Sequence, residues 1–106
     1  MIVVTTPDVT GREITEVLGM VRGNTIRARH VGRDIQARIR NITGGEVHEY
    51  TKMMAEAREQ AIDRMVEDAK QLGANAVVDM RFTTSMLMQG AAELLAFGTA
   101  VVVEDA

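Results

Sequence analysis

Apolar side chains recur at every third or fourth position over residues 46–72, and this spacing predicts one long amphipathic helix. Charged and amide side chains fill the opposite face. The apolar positions are Val47, Tyr50, Met54, Ala57, Ala61, Ile62, Met65, Val66, Ala69 and Leu72. Gly73 follows directly, at the position where a glycine commonly ends a helix, so we expect the helix to stop there.

The first quarter of the chain has two stretches with strand character. Residues 2–6 are rich in β-branched side chains, and Pro7 should end this short strand. Residues 13–26 mix apolar and polar side chains and contain Gly19 and Gly23. This pattern predicts either one long bent strand or a hairpin with bulges.

After Gly73 the pattern changes from the period of a helix to that of a strand. Over residues 76–83 apolar side chains occupy alternate positions, which predicts a strand with one buried face. Those positions are Ala76, Val78, Met80 and Phe82. Residues 85–92 contain a glycine and are expected to form a connection. Residues 94–103 are apolar at odd and even positions alike, so this last strand should be buried on both faces.

Residues 31–42 complete the set of elements with a short amphipathic helix, predicted by apolar side chains at spacings of four, four and three. These are Val31, Ile35, Ile39 and Ile42. Together the elements predict one α+β domain over residues 1–106. Its expected fold is a two-layer β-α-β-β arrangement in which a small antiparallel sheet packs on the long helix.

The last strand has more apolar surface than these elements can cover. One long helix covers one face of the sheet, and the short helix can cover only part of the other. An uncovered apolar face is typical of an interaction surface. We therefore expect a homo-oligomer with sheet faces or edges in its interface.

The composition excludes several classes of protein. Of 106 residues, 46% are hydrophobic and 25% are charged, which is typical of a soluble globular chain and not of a disordered or collagenous one. Cysteine is absent, which excludes disulfides, thiolate zinc sites and a catalytic thiol. The N-terminal residues lack the pattern of a secretory signal, and no apolar run approaches the roughly 20 residues that span a bilayer. We expect a cytoplasmic protein without a membrane segment.

Charge is distributed unevenly along the chain. The net charge is −3, but residues 22–40, the arginine segment, hold six arginines and one acid, so they carry +5 and the rest carries −8. Glu59, Asp63 and Glu67 form an acidic ridge at four-residue spacing on the predicted long helix. The arginines could contact nucleic-acid phosphates, but the segment has no aromatic residue for base stacking, and the pI is near 5.3. We favour pairing of the arginine segment with the acidic ridge of the same or a neighbouring subunit.

Seven short sequence blocks stand out between residues 5 and 103. They are Gly32-Arg33-Asp34-Ile35, Ile39-Arg40-Asn41-Ile42, Gly44-Gly45, Glu49-Tyr50-Thr51-Lys52, Glu56-Ala57-Arg58, Leu72-Gly73-Ala74-Asn75-Ala76-Val77 and Gly98-Thr99-Ala100-Val101-Val102. In order and spacing they resemble the YbjQ family of short prokaryotic proteins, which carries a heavy-metal-binding label. The resemblance implies a dodecin-subunit-like fold and assembly into pentameric rings that can pair into larger particles.

The resemblance implies no established reaction, and we assign no catalytic residue. Asp79 stands where the family tends to have a small residue, and His30 and His48 stand outside the family's pattern. A small ligand, if one is bound, should lie at subunit interfaces near polar side chains. The candidates are Arg33, Asp34, Arg40, Asn41, Tyr50 and Asn75. The favoured alternatives are a structural ion-pair network for the charged residues and a packed ring for Tyr50.

A heavy-metal site would have to rest on methionine, carboxylate and histidine, since the chain has no cysteine and two histidines. Met86 and Met88 form a Met-x-Met pair, predicted to lie in a loop, that a cuprous ion could use together with His30. The alternative, that the methionines fill gaps in the core or in an oligomer seam, is favoured. We therefore expect no resident cofactor.

Overall fold

The computed structural model describes residues 1–28, 44–88 and 90–106, which form four strands and one helix. In chain order these are β1 (Ile2–Val3), β2 (Arg12–Ala28), α1 (Gly44–Gln71), β3 (Ala76–Met88) and β4 (Ala91–Asp105). The predicted α+β class is confirmed. The short helix predicted over residues 31–42 lies outside the described residues.

One sheet holds the strands in the order β1-β3-β4-β2. β4 lies between β3 and β2 and is antiparallel to both. β1 is parallel to β3, with Ile2 opposite Ala76. The sheet is therefore mixed, and the expectation of a purely antiparallel sheet is wrong. The direction of β1 is set by the long crossover through β2 and α1, which returns the chain beside it in the same sense.

β2 is one long bent strand, so the alternative of a hairpin is wrong. It pairs with β4 along its whole length. The register shifts between Ile14 and Glu16 and again between Val17 and Gly19. Gly19 has a φ of 120°, which glycine adopts far more easily than other residues. These two bulges bend the first half of the strand.

β3 departs from the predicted alternation. Its register with β4 shifts between Val78 and Arg81, and Asp79 has a φ of 53° there. This bulge places Val77 and Met80 in the core beneath α1, while Val78 packs on the opposite face. The prediction that Val78 and Met80 share a face is wrong, because one inserted residue reverses the alternation.

The connection predicted over residues 85–92 is also wrong. β3 continues to Met88, and β4 already begins at Ala91. Gly90, in the tight turn, has a φ of 81°. The two strands therefore form a long hairpin, and residues 86–88 belong to a strand.

α1 packs on one face of the sheet through the predicted apolar stripe. Its fully buried members are Ala57, Ala61, Met65 and Ala69. The small alanines let the helix lie close to β2. At Gly23 a Cβ would overlap the helix backbone at Ala61 and Met65, so this glycine is required by the close approach.

α1 ends at the predicted glycine. Gly73 has a φ of 88°, and its N–H donates to the carbonyl of Lys70 at 3.0 Å. The N–H of Ala74 donates to the carbonyl of Ala69 at 3.1 Å. The two bonds form a Schellman motif that turns the chain towards β3. Within the described residues, no helix is both long and apolar enough to cross a membrane.

A second, smaller core lies on the face of the sheet away from α1. Its buried residues are Ala76, Val78, Val101 and Val103. Apolar residues near the N-terminus pack over them: Ile2, Val4, Val9 and Ile14. β4 is thus buried on both faces at this end, as predicted. The expectation that the chain has nothing to cover the second face is wrong here, because the N-terminal segment folds over it.

Candidate functional site

The two outer edges of the sheet are the places where another strand could add, and their residues form the candidate site. β2 is one outer edge. β1 is the other, but it is two residues long. Most of the second edge therefore belongs to β3. An unpaired edge is a template for pairing with another chain unless the protein blocks it.

Side chains of α1 block the middle of the β2 edge. The guanidinium Nη1 of Arg64 donates to the carbonyl oxygen of Asn24 at 2.6 Å. The carboxylate of Asp68 accepts the backbone N–H of Arg22 at 3.2 Å. A neighbouring strand would need these same backbone groups. We call Arg64 and Asp68 the edge clamp.

Two grooves lie between β2 and α1, one after the other along the helix. The first has a volume of about 430 Å³ and is lined by Arg22, Asn24, Arg64, Glu67, Asp68 and Gln71. The second has a volume of about 500 Å³ and is lined by Arg27, Ala55, Glu56, Glu59, Gln60 and Asp63. In it, Nη2 of Arg27 donates to Oε1 of Gln60 at 2.7 Å. Each groove therefore combines one arginine of the arginine segment with at least one member of the acidic ridge.

The N-terminal segment covers the first part of the β3 edge. The N–H of Met80 donates to the carbonyl of Val4 at 3.0 Å. The guanidinium of Arg81 donates to the carbonyl of Thr5 at 2.8 Å. These two contacts with the N-terminal segment cover the outer edge of β3 as far as residue 81.

From residue 82 onward, no strand in the described part of the chain pairs with this edge. Residues 82–88, which we call the open edge, are Phe-Thr-Thr-Ser-Met-Leu-Met and contain no charge, proline or glycine. All seven are exposed, Phe82 by 39% and Met86 by 69%. Residues 82–86 of the open edge lack the charges, prolines and bulges with which proteins usually blunt such a strand, and the register with β4 shifts only after Met86.

Asn75, a predicted ligand-binding residue, uses its side chain within the fold. Nδ2 donates to the carbonyl of Val103 at 2.9 Å, and Oδ1 accepts the N–H of Val103 at 2.8 Å. The side-chain amide therefore acts as a backbone partner for β4, just before β3 begins. Its donor and its acceptor are both engaged in holding the sheet.

The other predicted ligand-binding residues are not described to the same extent. Tyr50 lies in α1, and its side chain is outside the described part of the structure. Arg33, Asp34, Arg40 and Asn41 lie outside the described residues. Their predicted roles stay predictions.

Of the predicted metal ligands, Met86 and Met88 lie in β3, and His30 lies outside the described residues. The register with β4 shifts between the methionines, so that Met86 is opposite Ala92 and Met88 is opposite Ala91. Since Ala91 and Ala92 are successive strand residues, the two thioethers are directed to opposite faces. In the described ranges, no three His, Asp or Glu side chains are grouped so that they could hold a metal.

The edge clamp is not evident from the sequence. Its signal was an opposite charge pair at four-residue spacing, which places Arg64 and Asp68 on the same helix face. That pattern is common on exposed helices, and only the position of β2 gives it a role. The open edge is not evident either, because Gly90 makes residues 85–92 resemble a connection between strands.

Comparison with known proteins gives consistent matches over nearly the whole chain. The YbjQ family model, described as "Putative heavy-metal-binding", matches residues 1–104. A "UPF0145 protein" of Methanosarcina acetivorans is 60% identical over 101 residues, which cover 95% of both chains. One from Pyrococcus horikoshii is 62% identical over 98% of this chain and 89% of its own. A crystal structure of a protein of unknown function from the DUF74 family of Pediococcus pentosaceus covers 98% of both chains with a TM-score of 0.69 at 13% identity, a likeness of fold.

Proposed function

The chain belongs to the YbjQ family, and on this premise we propose that it is the subunit of a homo-oligomeric ring in the cytoplasm. The proposed ring has five subunits, or ten where two rings pair. The proposal assigns the chain no reaction and no cofactor. The observation that carries it is the excess of exposed surface on a single chain.

The surface of the chain is larger than a compact monomer requires. It measures 6846 Å², and a compact protein of 11.6 kDa exposes about 5,800 Å², which leaves an excess of roughly 1,000 Å². The radius of gyration is 17.3 Å, whereas a compact chain of this length has about 13 Å. A standard interface buries about 800 Å² on each partner. The excess is therefore of the size that one subunit contact would remove.

Much of the exposed surface is apolar. Large apolar side chains are exposed on β2 and β3, namely Val17, Met20, Ile26, Phe82, Met86, Leu87 and Met88. On β4, between these strands, Leu95 and Phe97 are only half-buried. Apolar surface of this extent on a small chain supports a protein–protein interface.

Charge complementarity supports self-association over binding to nucleic acid. Arg27 already shares a groove with Glu59 and Asp63 of its own chain. We propose that other arginines of the arginine segment meet the acidic ridges of neighbouring subunits. Opposite charges across an interface favour the correct partner and its orientation.

Native mass spectrometry and light scattering of the untagged chain at micromolar concentration test the proposal. We expect a mass of five or ten times 11.6 kDa, and a monomer would overturn the proposal. The same measurement at low and high salt tests the charge contribution, since paired surface charges are screened by salt. A mobility shift with DNA or RNA that salt abolishes would contradict the proposal that the arginine segment binds neighbouring subunits and not nucleic acid.

A second candidate function is binding of a ligand between subunits. The exposure of Met86 and Met88, 69% and 56%, favours a soft metal ion, because thioethers suit a cuprous ion. As the two side chains are directed to opposite faces, the ligand set would need residues of a second subunit or His30. Cuprous titration of the assembled protein should show reduced uptake in Met86→Leu and Met88→Leu, and unchanged uptake would exclude these methionines.

A polar small molecule is the other form of this candidate. The proposed site is an interface that holds Arg33, Asp34, Arg40 and Asn41. The native mass spectrum checks it too, because a retained molecule would add a discrete mass per subunit. A mass accounted for by the polypeptide alone would count against it.

A further inference from the structure

We infer that the open edge of β3 pairs with the open edge of a second copy, antiparallel and about a two-fold axis at Thr84. The inference rests on the proposed homo-oligomer and specifies one of its contacts. It commits to a second copy of this chain as the partner. The pairing would join two four-stranded sheets into one continuous sheet.

The outward backbone groups of the open edge follow from its covered neighbour. The N–H of Met80 points outward, since it bonds to Val4 of the N-terminal segment. Backbone groups of alternate strand residues point to the same side. Phe82, Thr84 and Met86 therefore present their N–H and C=O groups to the free side of the strand.

An antiparallel pairing centred on Thr84 gives a hydrogen-bond partner to every outward N–H and C=O group of Phe82, Thr84 and Met86. Thr84 lies opposite Thr84 of the second copy, and Phe82 lies opposite Met86 on either side of it. Each pair exchanges two N–H···O bonds in an antiparallel ladder. The Phe82–Met86 pair adds a sulfur–aromatic contact, and none of these positions carries a charge that could oppose a like charge.

Other centres fit less well, because β3 is regular only between its two bulges. A centre at Phe82 would place Thr84 opposite Met80, whose N–H is already bonded. A centre at Met86 would place Thr84 opposite Met88, beyond the second shift of register. A centre at Thr83 would pair Phe82 with Thr84 but place Met86 opposite Met80, whose N–H is already bonded. A centre at Ser85 would pair Thr84 with Met86 but place Phe82 opposite Met88, beyond the second shift of register.

The β2 edge is a poor partner for the open edge. Its middle is occupied by the edge clamp at Arg22 and Asn24. Its first half contains both bulges and the charged residues Arg12, Glu13 and Glu16. Bulges and charges are the usual means by which proteins prevent edge pairing. A head-to-tail pairing of the open edge with the first half or the middle of β2 is therefore disfavoured.

The two-fold axis bears on the number of subunits. A ring of five contains head-to-tail contacts and no two-fold contact between its own members. A two-fold strand pairing must then join two rings. The inference therefore favours ten subunits over five.

Thr84→Cys tests the register directly, because the chain has no other cysteine. A hydrogen-bonded antiparallel pair has Cα atoms about 5.5 Å apart, within the range of roughly 4.4–6.8 Å of a disulfide. Under a mild oxidant, most of the Thr84→Cys protein should run as a covalent dimer on a non-reducing gel. Ser85→Cys is the matched control, since two copies of residue 85 would be diagonal neighbours about 7–8 Å apart, and it should give little dimer.

Thr84→Lys gives a second readout that does not need oxidation. A lysine on the open edge should block the strand pairing and halve the native mass from ten subunits to five, with the melting temperature of the subunit retained. An unchanged mass, or equal crosslinking of Thr84→Cys and Ser85→Cys, would overturn this inference while leaving the ring proposal intact. A monomeric wild type would overturn the ring proposal itself.

Discussion

The two outer edges of the sheet differ in how well they are closed. β2 is the longer strand, with 17 residues, yet α1 packs over it and the edge clamp occupies its outward groups. The last part of β3 is shorter, and Phe82 and Met86 stay exposed along it. The difference teaches that the reach of the helix, not the length of the strand, decides which edge is available to another chain.

Gly23→Ala should have the largest effect, because it disrupts the close packing of α1 on β2. The added Cβ would overlap backbone atoms of Ala61 and Met65, which cannot swing aside as a side chain would. α1 would have to move away from β2, and we expect a loss of about 3 kcal/mol in the free energy of unfolding. Urea unfolding followed by circular dichroism measures it.

Asn24→Ala, one residue further along β2, is the matched control for Gly23→Ala. Its side chain is exposed and bonds to Glu93 at 3.3 Å, so a change of about 0.5 kcal/mol is expected. If the two variants unfolded at the same urea concentration, the close packing of α1 on β2 would not be what stabilises this edge.

Removing the edge clamp should have a smaller effect on stability and a visible effect on association. Arg64→Ala combined with Asp68→Ala deletes two exposed hydrogen bonds, at a cost of about 1 kcal/mol. The outward groups of Arg22 and Asn24 then become free to pair with another strand. We expect species larger than the wild-type assembly in light scattering.

Lys52→Ala combined with Glu56→Ala is the control for the edge clamp, because it removes two exposed opposite charges at the same four-residue spacing on α1 that belong to neither the edge clamp nor the acidic ridge. This variant should keep the wild-type mass. If both double variants formed equally large species in light scattering, the loss of surface charge, and not the opened edge, would be the cause of the association.

The smallest effect is expected at Asp79, where β3 passes from its covered to its open part. The left-handed φ of 53° costs a non-glycine residue about 1 kcal/mol, and glycine avoids this cost. Asp79→Gly should therefore gain about 0.5 kcal/mol in stability. The ion pair with Arg81, 3.9 Å long and exposed, contributes little.

Thermal unfolding of three variants checks the conformation of Asp79. Asp79→Asn should match the wild type, because asparagine tolerates the left-handed region, and Asp79→Ala should be less stable. A glycine variant less stable than the alanine variant would contradict the positive φ and with it the position of the bulge.

α1 could be predicted from the sequence because every turn repeats the same signal. The stripe through Ala57, Ala61, Met65 and Ala69 is buried as expected, and Gly73 ends the helix. The strand character of β2 was also visible, although its bulges left one strand and two strands as alternatives. A regular helix or strand repeats its pattern of apolar side chains, so a single residue that departs from the pattern does not prevent the element from being predicted.

The bulge in β3 and the direction of β1 could not be predicted. Asp79 is compatible with both an extended and a left-handed backbone, and one such residue changes which face every later side chain occupies. The two residues of β1 are too few to carry a pattern. Arg64 and Asp68 resemble any exposed charge pair until the position of β2 is known, so the edge clamp depends on tertiary structure.

The pairing of β2 with β4 has a consequence for the order of folding. Arg12 lies opposite Asp105, so the two strands meet across almost the whole chain. Contacts of such sequence separation form slowly, and during synthesis β2 and α1 emerge long before β4 exists. In that interval the nascent β2 would expose both of its edges to neighbouring chains. The buried side chains of α1, Ala57, Ala61, Met65 and Ala69, would then cover one face of β2 before β4 is synthesised, while its edge towards β4 stays open until the last strand is added.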